Sequence, residues 1–168
     1  MDQLLQDLAD RLANRFFGKY RGIVTEVDAA TMRIKATVPA VLGETPTGWC
    51  QPCVPYAGPK VGFFFLPEPG TGVWIEFEAG DVSYPIWTGC FWHAGDVPAE
   101  AAAKVRGIVT AAPHQLLFDD DADEVTLGDA NGGSLVLNSD GVTASRGTSS
   151  VAVSDSSVSV NDGALEVT

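Results

Sequence analysis

Two cysteine-bearing pairs are the sharpest chemical signal in the sequence. Cys50-Gln51-Pro52-Cys53 has a C-x2-C spacing and Cys90-Phe91-Trp92-His93 adds C-x2-H, so Cys50, Cys53, Cys90 and His93 carry the ligand types of a tetrahedral zinc site. Both pairs fall in segments that read as β-strands, where residues three apart point to opposite faces; one ion could collect them only if Pro52 bulged its strand. The expectation is therefore buried or half-buried thiols and no metal. Glu68, Glu76, Glu78 and Asp81 have the chemistry of a glycosidase carboxylate pair. Glu76 and Glu78, however, alternate with apolar neighbours in the manner of a strand's solvated face. The run Asp119-Asp120-Asp121-Ala122-Asp123-Glu124 lacks the glycine and the spaced final Glu of a calcium loop, and reads as an acidic turn. Neither a nucleophile elbow nor a phosphate-cradling glycine loop is present. No catalytic residue and no cofactor are expected.

Aromatic residues offer a second kind of chemistry. Trp49, Phe63, Phe64, Phe65, Trp74, Trp87, Phe91 and Trp92 could stack on the bases of a single-stranded nucleic acid. Such platforms are accompanied by a basic stripe, and this chain of 168 residues has a net charge of -12 with only 10 Lys and Arg. Phosphate affinity comes mainly from cationic side chains that release counterions, so no nucleic-acid partner is expected. Burial in a core or at a subunit interface accounts better for the aromatics.

The elements that must hold these residues fall into zones. Residues 1–18 form the first, where Leu4, Leu5, Leu8, Leu12 and Phe16 recur at spacings of three and four opposite Asp2, Asp7, Asp10 and Arg11. This predicts an amphipathic α-helix ended by Gly18, covering its own domain or docking on a neighbouring subunit. Its start has neither the basic nor the apolar character of a secretory signal, so synthesis in a reducing cytosol with reduced cysteines is expected. No segment approaches the roughly 20 apolar residues of a membrane helix.

Residues 19–93 read as short strands separated by Gly and Pro clusters: 20–27, then Met32, Ile34, Ala36 and Val38 in alternation, then 49–56, broken by Pro52 and Pro55. Val73, Ile75 and Phe77 alternate next, and 84–92 follow. Five strands in so short a stretch predict an OB-type Greek-key barrel. Residues 94–106 read as a linker or short connecting helix.

From 107 to 168 the composition changes. Apolar pairs one residue apart recur as Val125 and Leu127, Leu135 and Leu137, Val142 and Ala144, Val151 and Val153, Val158 and Val160, and Leu165 and Val167. Turn formers lie between them, among them Asn138-Ser139-Asp140-Gly141 and Asn161-Asp162-Gly163. About two small apolar side chains per strand do not offset an ordering entropy on the order of 1–2 kcal/mol per residue in an isolated sheet. Stacked rungs shared by three copies would bury each pair, so an intertwined trimeric β-helix is expected, with serine-rich disorder as the alternative. Its trimer core would be Val125, Leu127, Leu135, Leu137, Val142, Val151, Val153, Val158, Val160, Leu165 and Val167.

Several blocks carry a family resemblance: Tyr20-Arg21-Gly22-Ile23-Val24, Arg33-Ile34-Lys35-Ala36-Thr37-Val38-Pro39, and above all the block from Leu66-Pro67-Glu68-Pro69-Gly70 through Gly80-Asp81. Pro85-Ile86-Trp87-Thr88-Gly89 and Gly107-Ile108-Val109-Thr110 continue it, with Leu116-Leu117-Phe118-Asp119-Asp120 and Glu124-Val125-Thr126-Leu127. In this order they resemble the baseplate assembly protein V family of phage tails, related to the spike region of the valine-glycine repeat protein G family of type VI secretion. The resemblance implies a mainly β homotrimer that is assembled in the bacterial cytoplasm and serves at the baseplate centre of a virion tail or injection particle. It further implies docking on the tail hub protein, with Leu4, Leu5, Leu8, Leu12 and Phe16 as candidates, and transient contact with a target cell envelope that is pierced on contraction. There is no room between Trp92 and Val105 for the lysozyme-like insertion of some relatives. The two histidines, His93 and His114, lie far from a His-x-His metal tip, so a separate tip-capping protein is expected. An OB-fold module binding sugar or nucleic acid, with a disordered acidic tail, is the competing reading.

Overall fold

The structure, a computed structural model, describes Gln3 and residues 14–167. It is mainly β and divides into two compact units, one ending at Asp96 and the other beginning at Val97.

The first unit is built on β1 (Tyr20–Asp28), β2 (Arg33–Thr37), β3 (Gln51–Pro52), β6 (Gly72–Phe77) and β7 (Pro85–Phe91), in the order β2-β1-β6-β7-β3. Between β2 and β3 lies a short helix, α1 (Pro39–Leu42), and between β3 and β6 a small hairpin, β4 (Ala57–Gly58) and β5 (Val61–Gly62). β3 runs parallel to β7, whereas the other pairs are antiparallel. The two ends of this sheet meet, because Cys50, next to β3, bridges Ile34 of β2, its N–H donating to the Ile34 carbonyl at 2.7 Å. A sheet closed in this way, one parallel pair among antiparallel ones, has OB architecture.

Closure is sealed by Thr47, a buried polar side chain. Its Oγ1 accepts the Ala36 N–H at 3.1 Å and lies 3.2 Å from the Cys50 Sγ, so burial leaves no polar group unmatched at that seam. Inside lie Val24, Ile34, Ala36, Val38, Cys50, Val73, Ile75, Phe77 and Trp87. The alternation in the sequence is thereby explained: Val73, Ile75 and Phe77 point inward while Glu76 faces out to Lys19 at 2.9 Å. At Gly22 a side chain is sterically barred, since a Cβ would stand 2.9 Å from the Thr37 carbonyl oxygen.

Three sequence expectations change here. The helix expected to reach Gly18 does not: residues 15–17 are non-helical, and the Phe16 N–H donates to the Gly80 carbonyl at 2.8 Å instead of to a preceding turn. Strand 49–56 contracts to Gln51–Pro52, because Pro52 and Pro55 have no N–H to continue a ladder. Met32 leaves its strand for the β1–β2 turn at φ 56°, where Asp28 accepts from the Ala30 N–H at 3.0 Å and the Thr31 hydroxyl at 2.6 Å.

The second unit is a single antiparallel meander of eight strands. They are β8 (Val105–Val109), β9 (Gln115–Asp119), β10 (Glu124–Gly128), β11 (Gly133–Asn138), β12 (Gly141–Arg146), β13 (Ser149–Val153), β14 (Val158–Val160) and β15 (Leu165–Val167). Each strand pairs with the next, because short turns send the chain straight back. The strands of one chain therefore lie side by side in one sheet. Residues 97–104 are turns and irregular structure, not a helix.

All four tryptophans lie in the barrel unit, so their fluorescence reports its unfolding. Ile75→Ala is expected to lower the barrel's stability by about 2–5 kcal/mol, seen as an earlier urea transition in tryptophan emission at fixed protein concentration.

Candidate functional site

None of the described residues of the second unit is buried. An ordered eight-stranded sheet without a core is the unusual feature of this protein, and the register shows what it does with its apolar side chains. Paired residues share a face, and so do residues two apart along a strand. One column therefore runs Phe118, Val125, Leu137, Val142, Val153, Val158 and Val167 across successive strands. A second column on the same face runs Ile108, Leu116, Leu127, Leu135, Ala144, Val151, Val160 and Leu165.

All eleven residues expected to form a shared core thus stand on one face, in two adjacent rows. Many are open to solvent in the single chain, including Leu127 at 53%, Val153 at 46% and Leu165 at 61% exposure. Ile108, Leu116 and Phe118 extend the rows and were not among the eleven; the step of two from Leu116 to Phe118 is a signal for that pair, whereas Ile108 has Arg106 and Thr110 two residues away and gives none. Arg106 heads the first row beside Phe118, and its guanidinium pairs with Asp120 at 2.5 Å, so the apolar face ends in an ion pair. Between the rows, the opposite face carries Leu117, Thr126, Val136, Thr143, Ala152 and Ser159, which become small and mostly polar along the sheet.

The turns fix this register. Asp129 Oδ1 accepts from the backbone N–H groups of Asn131 at 2.7 Å and Gly133 at 2.8 Å, and its Oδ2 meets Arg146 at 3.1 Å. The Gly133 and Asn131 amides hold the Asp129 carboxyl below the usual carboxylate value against the opposing pull of desolvation, and Arg146 adds a lesser contribution in the same direction as the amides. Asn138 Oδ1 accepts the Asp140 N–H at 3.0 Å, and Gly141 follows at φ 132°, where a Cβ would collide with the Val153 carbonyl. The acidic run 119–124 is a turn of the same kind: Asp119 Oδ1 accepts from the Asp121 and Ala122 N–H groups at 2.9 and 3.1 Å, and Lys104 pairs with Asp121 at 2.6 Å.

The other candidate chemistries are dispersed. Cys50 is buried, and its desolvation pushes the thiol pKa up; Cys53 and Cys90 are exposed. Among the described residues no group of three or more His, Cys, Asp or Glu is placed to hold a metal ion. Glu76 is engaged by Lys19, and Asp81 by Arg15 at 3.0 Å. Of the hub-docking candidates, Leu4, Leu5, Leu8 and Leu12 lie outside the described residues. Phe16 packs edge-on against Tyr20 and Phe77, with ring centroids 6.3 and 6.4 Å apart, and so covers its own barrel. The aromatics divide: Trp87 is buried, Trp74 and Phe91 flank the Arg21 guanidinium at 5.5 Å each, and Phe63, Phe64, Phe65 and Trp92 are exposed.

A small closed barrel followed by a one-sided sheet that has no core of its own is the design of a structural assembly protein, one that completes its fold on copies or partners. Comparison with known proteins narrows this class. Residues 20–92 match the family model described as the type VI secretion system/phage-baseplate injector OB domain, and residues 107–166 match the phage baseplate V C-terminal trimerisation domain. The chain belongs to the phage baseplate V family, and its role is that of a structural, spike-type baseplate component in a phage tail or type VI secretion particle. The second match supports a homotrimer. No curated protein matches the chain.

The sign of the Asp129 shift sets a pH dependence. A carboxyl whose folded-state pKa is depressed stabilises the fold above its unfolded value, near 3.8, and that contribution is lost as pH falls through the folded value. Asp129→Asn is therefore expected to melt earlier than the parent at neutral pH, and the gap should narrow below about pH 3.8, in circular-dichroism melts at constant ionic strength.

Proposed function

We propose that this protein is the central spike of a contractile phage tail or related injection machine, with its barrel seated on the tail hub and its sheet forming one wall of a three-walled prism. The observation that carries this reading is the pair of apolar rows on a single, coreless face. Three such faces turned toward a common axis bury both rows of every strand at once. Burying a Val or Leu side chain is worth about 1.5–3 kcal/mol, so the gain accrues on every rung of the sheet.

Such a prism has the mechanical character a spike requires. Each wall is a continuous ladder of backbone hydrogen bonds across eight strands, and at each strand-to-strand step along the shaft several bonds share the load. The exterior is then the mostly small, polar opposite face with its acidic turns, and a chain of net charge -12 repels its like and anionic envelope surfaces during passage. The apolar rows continue to β15, where Leu165 and Val167 are each 61% exposed on the last described strand. Among the described residues β15 is an edge strand, and its apolar side chains suit a covering surface such as a separate tip-capping protein. Assembly in the bacterial cytoplasm, with the thiols reduced, suits the free Cys50, Cys53 and Cys90.

Val153 lies in one row and Val160 in the other, so Val153→Asp with Val160→Asp would put charges into both rows of the shared core. Light scattering of the parent should give three times the 17.6 kDa chain mass, and the double variant should not. An undiminished trimer in the variant would place those valines outside the prism. A monomeric parent would favour a ligand-binding barrel with a tail.

A further inference from the structure

On the barrel, the β4–β5 hairpin and the chain that follows it form one side of a groove of about 480 Å³, with Trp87 among its lining residues. Its apolar wall is Tyr56, Val61, Phe63, Phe64 and Phe65, exposed by 60, 53, 50, 73 and 51%. Among the described residues of the lining, Lys60 alone is charged. Trp87 is 5% exposed, and its indole N–H has no hydrogen-bond acceptor among the described residues. Native proteins seldom leave a buried donor unmatched, and doing so costs about 1–3 kcal/mol. In the single chain the groove is thus incomplete both in apolar cover and in hydrogen bonding.

We infer that this groove is a barrel-to-barrel interface in which a neighbouring copy of the same chain covers the Phe63–Phe64–Phe65 wall. The inference rests on the homotrimer of the proposed function and adds a contact which the trimerisation domain does not contain. Two observations favour a second copy as the occupant. First, the family trimerisation domain at residues 107–166 tethers each barrel to two others, and tethering of this kind gives effective concentrations of about millimolar. An apolar groove this open, held so close to a neighbouring barrel, meets that barrel's surface before any free partner does. Second, copies with a net charge of -12 repel wherever carboxylates face one another, and this groove contains none. Aromatic-rich surface whose described lining carries one charged residue, Lys60, has the charge-poor composition of a permanent interface core. Around a three-fold axis, a head-to-tail contact closes into a ring, so that each groove receives one neighbour and none is left over.

Site-specific photo-crosslinking of the full chain tests the inference, with benzoylphenylalanine replacing Phe64 and the mass of the same sample measured by light scattering. Irradiation should yield covalent dimers and trimers from a sample of trimeric mass. Adding the exposed hairpin change Val61→Asp should reduce the crosslink roughly tenfold, the effect of about 1.4 kcal/mol, and leave the mass trimeric. Trimeric mass with crosslinks confined to the parent chain would overturn the barrel contact and leave the spike reading intact. So would crosslinks that form only to a different baseplate protein. A monomeric mass would overturn both.

Discussion

A β-sheet can satisfy all its interior backbone hydrogen bonds by itself, but it cannot bury its own side chains. That constraint governs this protein. In the second unit eight strands complete their ladders within one chain, and yet no described residue there is buried. The sheet faces water on both sides, although one side carries two unbroken apolar rows from Ile108 and Phe118 to Leu165 and Val167. Hydrogen bonding alone stabilises weakly, because water competes for the same groups. The missing free energy must come from a surface outside the chain, and the match to a trimerisation domain says which kind of surface that is.

The barrel solves the opposite problem. It curls until Cys50 meets Ile34 and Thr47 ties the seam, so the side chains of β2 and β6 have one another to pack against. One chain thus contains a unit whose core is internal and a unit whose core is shared. The same alternation of Val and Ile with polar residues serves both, and what separates the two outcomes is the length of the connections. The barrel's connection from β3 to β6 is long enough to carry a hairpin and cross the sheet, whereas the meander's turns reverse the chain at once. A meander with short turns stays a single layer.

These differences decide what could be read from the residues alone. Period-two alternation and the Gly, Asp and Asn clusters located nearly every strand of the second unit, because each strand there is set by its own residues and its flanking turns. Facing was legible as well, since Val151 and Val153, or Val158 and Val160, step by two. Less legible were features imposed from elsewhere in the chain. Gln51–Pro52 is a strand because β7 runs beside it, not because of its composition. Residues 15–17 are non-helical, with Phe16 bound to Gly80, Tyr20 and Phe77, a long-range fact to which helical spacing is blind. The C-x2-C and C-x2-H spacings carry zinc-ligand types, yet Cys50 packs in the barrel core at the closing seam while Cys53 and Cys90 are exposed.

The shared-core arrangement depends on register more severely than an ordinary sheet does. A slip of one residue in any pair would turn Val153 or Val160 outward and bring Ala152 or Ser159 to the apolar face, in every copy at once. Small valines on flat rows are poor at preventing this, since each resembles its neighbours. The turns supply the specificity that the rows lack. Asp129 fixes one end of β11 through two amide bonds, and Asn138 with Gly141 fixes the other, where no residue with a Cβ fits against Val153. Asn161 Oδ1 reaches back to the Ser150 N–H at 2.9 Å and locks β13 against the β14–β15 turn. The polar turn residues are thus as necessary to the apolar face as the valines: the valines make it worth covering, and the turns ensure that all three copies present the same face.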